Sequence, residues 1–122
     1  MKYHKLFINF ENSAETYAAI TRLLGKTPIP NEPTKVSSDV HNIWFYRVDT
    51  NDDDESFDFI NAFLDILEGK YEALASLGIQ REDILIWLVY EYDQQCAMEL
   101  HPQEMKRLGE NGIHLNIDCH AS

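Results

Sequence analysis

The chain is short of positive charge. Ten Lys and Arg stand against 21 Asp and Glu, for a net charge of −11. A field of that sign repels phosphate backbones and anionic headgroups, so neither nucleic acid nor a membrane surface is an expected partner. Cysteine is also scarce. Cys96 and Cys119 make no disulfide framework, and both thiols are expected to stay reduced in the cytoplasm. No apolar run approaches the roughly 18 residues of a membrane span. The opening MKYHKLFINFE has too short an apolar part for a signal peptide, and no small-residue cleavage site follows it. Internal repeats, low-complexity segments and an interdomain linker are lacking, so residues 1–122 are expected to form one domain.

What is present suffices for a core. Six Tyr, six Phe and two Trp are a large apolar payload for 122 residues and argue against wholesale disorder. The charge is unevenly spread: residues 1–50 carry a net +1 and residues 51–122 a net −12. Part of this excess keeps any protein in solution.

Periodicity divides the chain. KLFINFE alternates, with Leu6, Ile8 and Phe10 on one face, and predicts a strand. Asn12, with Glu15 three residues on, predicts a helix start. Tyr17, Ile20, Leu23 and Leu24 then recur at helical spacing before Gly25. The proline-bearing KTPIPNEPTKVSSD predicts a loop, and NIWFYRV a second strand. Phe59, Ile60, Phe63, Leu64 and Leu67 form an apolar helical face, which resumes after Gly69 with Tyr71, Leu74 and Leu77. DILIWLVYEYD is apolar on both faces, as in a central strand covered by helices on one side and by helices or a partner on the other. CAMEL predicts a short strand returning from it as a hairpin. Pro102 opens a helix through Met105 and Leu108, and IHLNIDC alternates cleanly as an edge strand. The expected order is β-α-β-α-β-β-α-β. The expected fold is α+β, a two-layer sandwich with helices packed on one face of a mixed or antiparallel sheet of about five strands.

The chemistry-bearing stretch is RVDTNDDDESFD, where Asp49, Asp52, Asp53, Asp54, Glu55 and Asp58 crowd together. Read as a calcium loop from Asp49, it supplies Asn51 and Asp53 at the third and fifth positions. The sixth is Asp54 where the turn needs Gly, and the twelfth is Ile60 where a bidentate Glu is required. A weak, irregular cation site is all that carboxylate number alone leaves open. A helix start uses two or three acids against its dipole. The surplus is therefore expected to be solubilising charge or a partner surface.

His114 and His120 are too far apart along a strand to share zinc, so no metal site is expected. Cys119 and His120 are neighbours, but successive strand residues point to opposite faces, and nucleophile elbows and phosphate loops are missing. Neither enzymatic activity nor a cofactor is expected. Trp44 and Trp87 are expected to pack in a core.

Four stretches, AAITRLLGKTP, NIWFYRV, VYEYD and LHPQEMKRLGENGIHLNIDCH, resemble an uncharacterised bacterial family, domain of unknown function 4279. The turn after the first strand departs from it, with ENSAE in place of a glycine-bearing turn. The resemblance implies an α/β sandwich and transfers no active-site residue.

Two functions fit. One is an acidic protein-binding module, an immunity or antitoxin-like inhibitor of a basic toxin such as a nuclease. Its partner surface would be Asp49, Asp52, Asp53, Asp54, Glu55 and Asp58. The other is a small-ligand-binding or regulatory domain, with a pocket lined by Trp44, Tyr46, Trp87 and Tyr90. A basic toxin gene next door favours the first, a metabolic operon the second.

Overall fold

Alternating apolar residues open the first strand, β1, at Lys2–Asn9. A computed structural model describes residues 2–11, 13–29, 42–50, 57–92 and 99–121. Helix α1 (Ala14–Leu24) follows β1. Its N-cap is Ser13, whose hydroxyl accepts from the Thr16 N–H at 3.1 Å, where the sequence suggested Asn12. Gly25 ends the helix at φ 67°, a left-handed conformation that costs glycine little. Strand β2 (Ile43–Thr50), helices α2 (Phe59–Leu67) and α3 (Tyr71–Ser76), and a 3-10 turn at Arg81–Asp83 come next. Strand β3 (Ile84–Tyr92), helix α4 (Pro102–Asn111) and strand β4 (His114–Ala121) complete the chain. As expected, Pro102 sits in the first turn of α4, where its missing N–H has no partner to lose.

The sheet runs β2-β1-β3-β4. β1 is antiparallel to both β2 and β3, and β3 is parallel to β4. The fold is therefore α+β with a mixed sheet, as expected, but with four strands among the described residues rather than about five. The hairpin read over CAMEL falls mostly outside the described residues. Residues 93–98 lie outside the described residues, and Glu99 and Leu100 belong to no strand. From Leu85 to Tyr90, β3 has β1 on one edge and β4 on the other. Two parallel neighbours need a crossover, and α4 lies between them in sequence.

One sheet face carries the core. Leu6 and Ile8 of β1, Trp44 of β2 and Ile84, Ile86 and Leu88 of β3 meet Ile20, Phe63, Leu64, Leu67 and Leu74 from the helices. Trp44 is fully buried, and its indole N–H donates to Thr21 Oγ1 at 3.1 Å. This satisfies its one polar atom, so the core-packing expectation holds for Trp44. A polar clamp fixes α4 to α2. Arg107 donates to Asp65 at 2.6 Å and to Asn61 Oδ1 at 2.7 Å, and it pairs with Glu68 at 2.9 Å. Asn111 bonds Glu68 and accepts from the Tyr71 hydroxyl at 2.7 Å. The bonds from Arg107 and Asn111 hold the Glu68 carboxyl below its usual pKa.

His4 is a buried polar residue on the same core face. Its Nδ1 donates to the Val48 carbonyl at 3.3 Å, and its ring lies 5.1 Å from Phe57 and 4.9 Å from Phe59. Burial pushes its pKa below the ordinary 6.5. The Val48 bond and Asp49 oppose that shift, and Lys2 adds to it. The unfolded chain thus takes up this proton at a higher pH than the folded one. Stability from neutral His4 is complete above about pH 6.5, falls below it, and levels off once the lower folded pKa is passed. Replacing His4 by Phe is expected to remove that acid-side loss. Denaturant midpoints measured between pH 8 and pH 5 for both proteins check this, and identical slopes would show that His4 does not titrate differentially.

Candidate functional site

The second face of the sheet is built by the alternate residues. No described helix lies over it. Strand register arranges its side chains in three rows. Phe45, Phe7, Leu85 and His114 form one row across β2, β1, β3 and β4. Arg47, Lys5, Trp87 and Asn116 form the next, and Asp49, Tyr3, Val89 and Asp118 the third. The apolar members Phe7, Phe45, Leu85, Trp87 and Val89 are all half-buried, held by their neighbours in the sheet.

Contacts along the face order these groups. The Phe7 and Phe45 rings stack at 6.2 Å, and the Lys5 ammonium lies 5.6 Å from the Phe45 centroid. The Arg47 guanidinium lies 3.9 Å over the Tyr3 ring while its Nε donates to Asp49 at 2.5 Å. That bond holds the Arg47 pKa above its ordinary value. The Tyr3 hydroxyl donates to Glu91 Oε1 at 3.3 Å. The face thus has an aromatic and aliphatic centre, two cations laid over rings, and carboxylates at one end: Asp49 from β2, Glu91 from β3 and Asp118 from β4.

The sequence-predicted acids fare differently. Asp49 lies at this end and is engaged with Arg47. Asp58 is the N-cap of α2, accepting from the Asn61 N–H at 3.3 Å and from its amide at 2.8 Å. The first turn of α2 holds no acid, so among the described residues the helix start uses one carboxylate rather than two or three. Asp52, Asp53, Asp54 and Glu55 lie outside the described residues. Asp118 escaped the sequence reading as a member of this face. Alternation in IHLNIDC puts it on one strand face, but strand order alone sets it in the row that Asp49 begins.

The pocket expected between Trp44, Tyr46, Trp87 and Tyr90 is not formed. Trp44 and Tyr46 point to the helices, whereas Trp87, paired with Lys5, points to the other face. Tyr46 instead lines a cleft of about 500 Å³ with Leu24, Lys26, Phe63, Ile66 and Lys70, at the end of the core beside α2.

No protein-family model, curated protein or solved structure matches this chain. No described helix is long and apolar enough to cross a membrane. No three His, Cys, Asp or Glu side chains gather into a metal-holding group among the described residues. Cys119 is exposed on β4, and Cys96 lies outside the described residues.

Proposed function

We propose that the chain is an acidic protein-binding module that docks a basic protein on the second face of its sheet, as an immunity or antitoxin-like inhibitor of a basic toxin such as a nuclease. The observation that carries this reading is that Asp49, Glu91 and Asp118, from three strands, lie toward the same end of a face centred on Phe7, Phe45 and Trp87. Protein interfaces pair an aromatic centre with a polar rim in this way. Carboxylates at that end suit a partner that holds phosphate with Lys and Arg. Kinship with domain of unknown function 4279 belongs to the same proposal and rests on the four stretches quoted above.

The test uses the protein encoded next to this chain, if basic, as ligand. Replacing Asp52, Asp53, Asp54 and Glu55 by Asn and Gln should leave the fold intact, because the core described above is built from other residues. Association should slow about tenfold or more at low salt and converge with wild type at high salt, because rim charges act on encounter. Equal rates and equal salt slopes would overturn the electrostatic part of the proposal.

A further inference from the structure

The cleft beside α2 has an aromatic floor. The Phe63 ring of α2 stands edge-on to Tyr46 of β2 at 6.1 Å and to Phe57 at 6.3 Å, each a T-shaped contact. Val48 extends the floor along β2. Ala62 and Ile66, four residues apart on one flank of α2, form a wall. Ala62 is the smallest of these side chains, so a larger one in its place would fill the space.

Cations border this apolar surface. Lys26, just past the end of α1, and Lys70, at the start of α3, both line the cleft. The Lys26 ammonium lies 5.6 Å from the Tyr46 ring centroid. Among the described residues neither lysine makes an ion pair. The carboxylate in the lining, Asp65, is already engaged by Arg107 at 2.6 Å. The balance at the cleft is therefore positive in a chain of net charge −11. Lysine stems also cover apolar surface while their charge stays in water, but that role alone gives no preference for a charged ligand over a neutral one.

We infer that the cleft binds a small amphipathic monoanion, a carboxylate on an apolar body of about ten heavy atoms, independently of the partner proposed for the second sheet face. The body lies against Phe57, Phe63 and Ile66, and the carboxylate meets Lys26 and Lys70. A volume of about 500 Å³ is in the range of small-molecule sites. A single charge suits the site better than several. Acids beyond about 8 Å are largely screened at physiological salt, but each further negative charge on a ligand adds to the repulsion of an acidic chain with only two cations to offset it.

Octanoate and its neutral isostere octanamide test this, titrated into the nitrogen-15-labelled chain to about 10 mM, well past the 1 mM Kd of a weak ligand. Saturable amide shifts are expected at Ala62, Phe63, Ile66 and Lys70, with octanamide bound about tenfold more weakly than octanoate. Changing Lys26→Gln and Lys70→Gln together should weaken octanoate about tenfold and leave octanamide unchanged. Ala62→Trp, in protein whose circular dichroism and urea midpoint show the fold kept, should abolish binding of both. The comparison of the two probes on the wild-type chain depends on no variant. Octanoate shifts that do not saturate, or that map to the second sheet face, overturn the inference. So do equal affinities for the two probes, or octanoate binding indifferent to the paired lysine changes.

Discussion

Ile86→Asp is expected to abolish cooperative folding. Ile86 is fully buried at the centre of β3, with Leu6 beside it on β1 and Leu115 on β4. Removing a buried aliphatic side chain costs about 2–5 kcal/mol. An unpaired carboxylate among those neighbours adds several more, or must take up a proton to stay inside. A domain of this size has about 5–15 kcal/mol in all. Leu88→Asp, one turn of alternation along the same face, should be milder, because Leu88 lies across from His4 and a carboxylate there gains an imidazole partner. Urea unfolding followed by tryptophan fluorescence measures both. An Ile86→Asp protein with a sigmoidal transition near the wild-type midpoint would sink the placement of β3 as the central strand.

The two tryptophans should separate stability from binding. Trp44→Ala removes a fully buried indole and the bond it donates to Thr21, whose hydroxyl keeps its own bond to the Tyr17 carbonyl, for an expected loss of about 3–5 kcal/mol. Trp87 is half-buried on the opposite face, and its truncation should cost about 1–2 kcal/mol by loss of buried apolar area. If the second face is the interface, Trp87 is the aromatic anchor at its centre. Trp87→Ala should then raise the Kd for the basic partner by about 30-fold or more, the scale of an interface hot spot. Calorimetric titration alongside denaturant melts reads both effects. Unchanged affinity in folded Trp87→Ala protein would remove this face from the interface.

Much of the fold was legible because it is local. Alternation marked β1 and β4, aromatic and β-branched composition marked β2, and the 3.6-residue spacing of Phe59, Ile60, Phe63, Leu64 and Leu67 marked α2. Gly25 and Pro102 marked a helix end and a helix start through backbone chemistry that each residue carries by itself. The apolar character of both faces of DILIWLVYEYD foretold a central strand, and Ile84, Ile86 and Leu88 are buried against the helices. The cap at Ser13 in place of Asn12 is a shift of one residue between two side chains that cap equally well.

Strand order was not legible, because pairing depends on which distant segment fills each edge, and short-range pattern carries no record of that. β4 occupies the second edge of β3 through the α4 crossover, a pairing that no local pattern announces. The same step decided the site. Composition established that the chain is acidic, and sequence placed a carboxylate cluster before α2. Tertiary structure turned Asp58 into a helix cap, set Asp49 against Arg47, put Trp44 and Trp87 on opposite faces, and brought Asp118 into the row of Asp49 from 69 positions away. A side chain's face follows from the two-residue period of its own strand, but its neighbours across the sheet follow from the hydrogen-bonded register of all four.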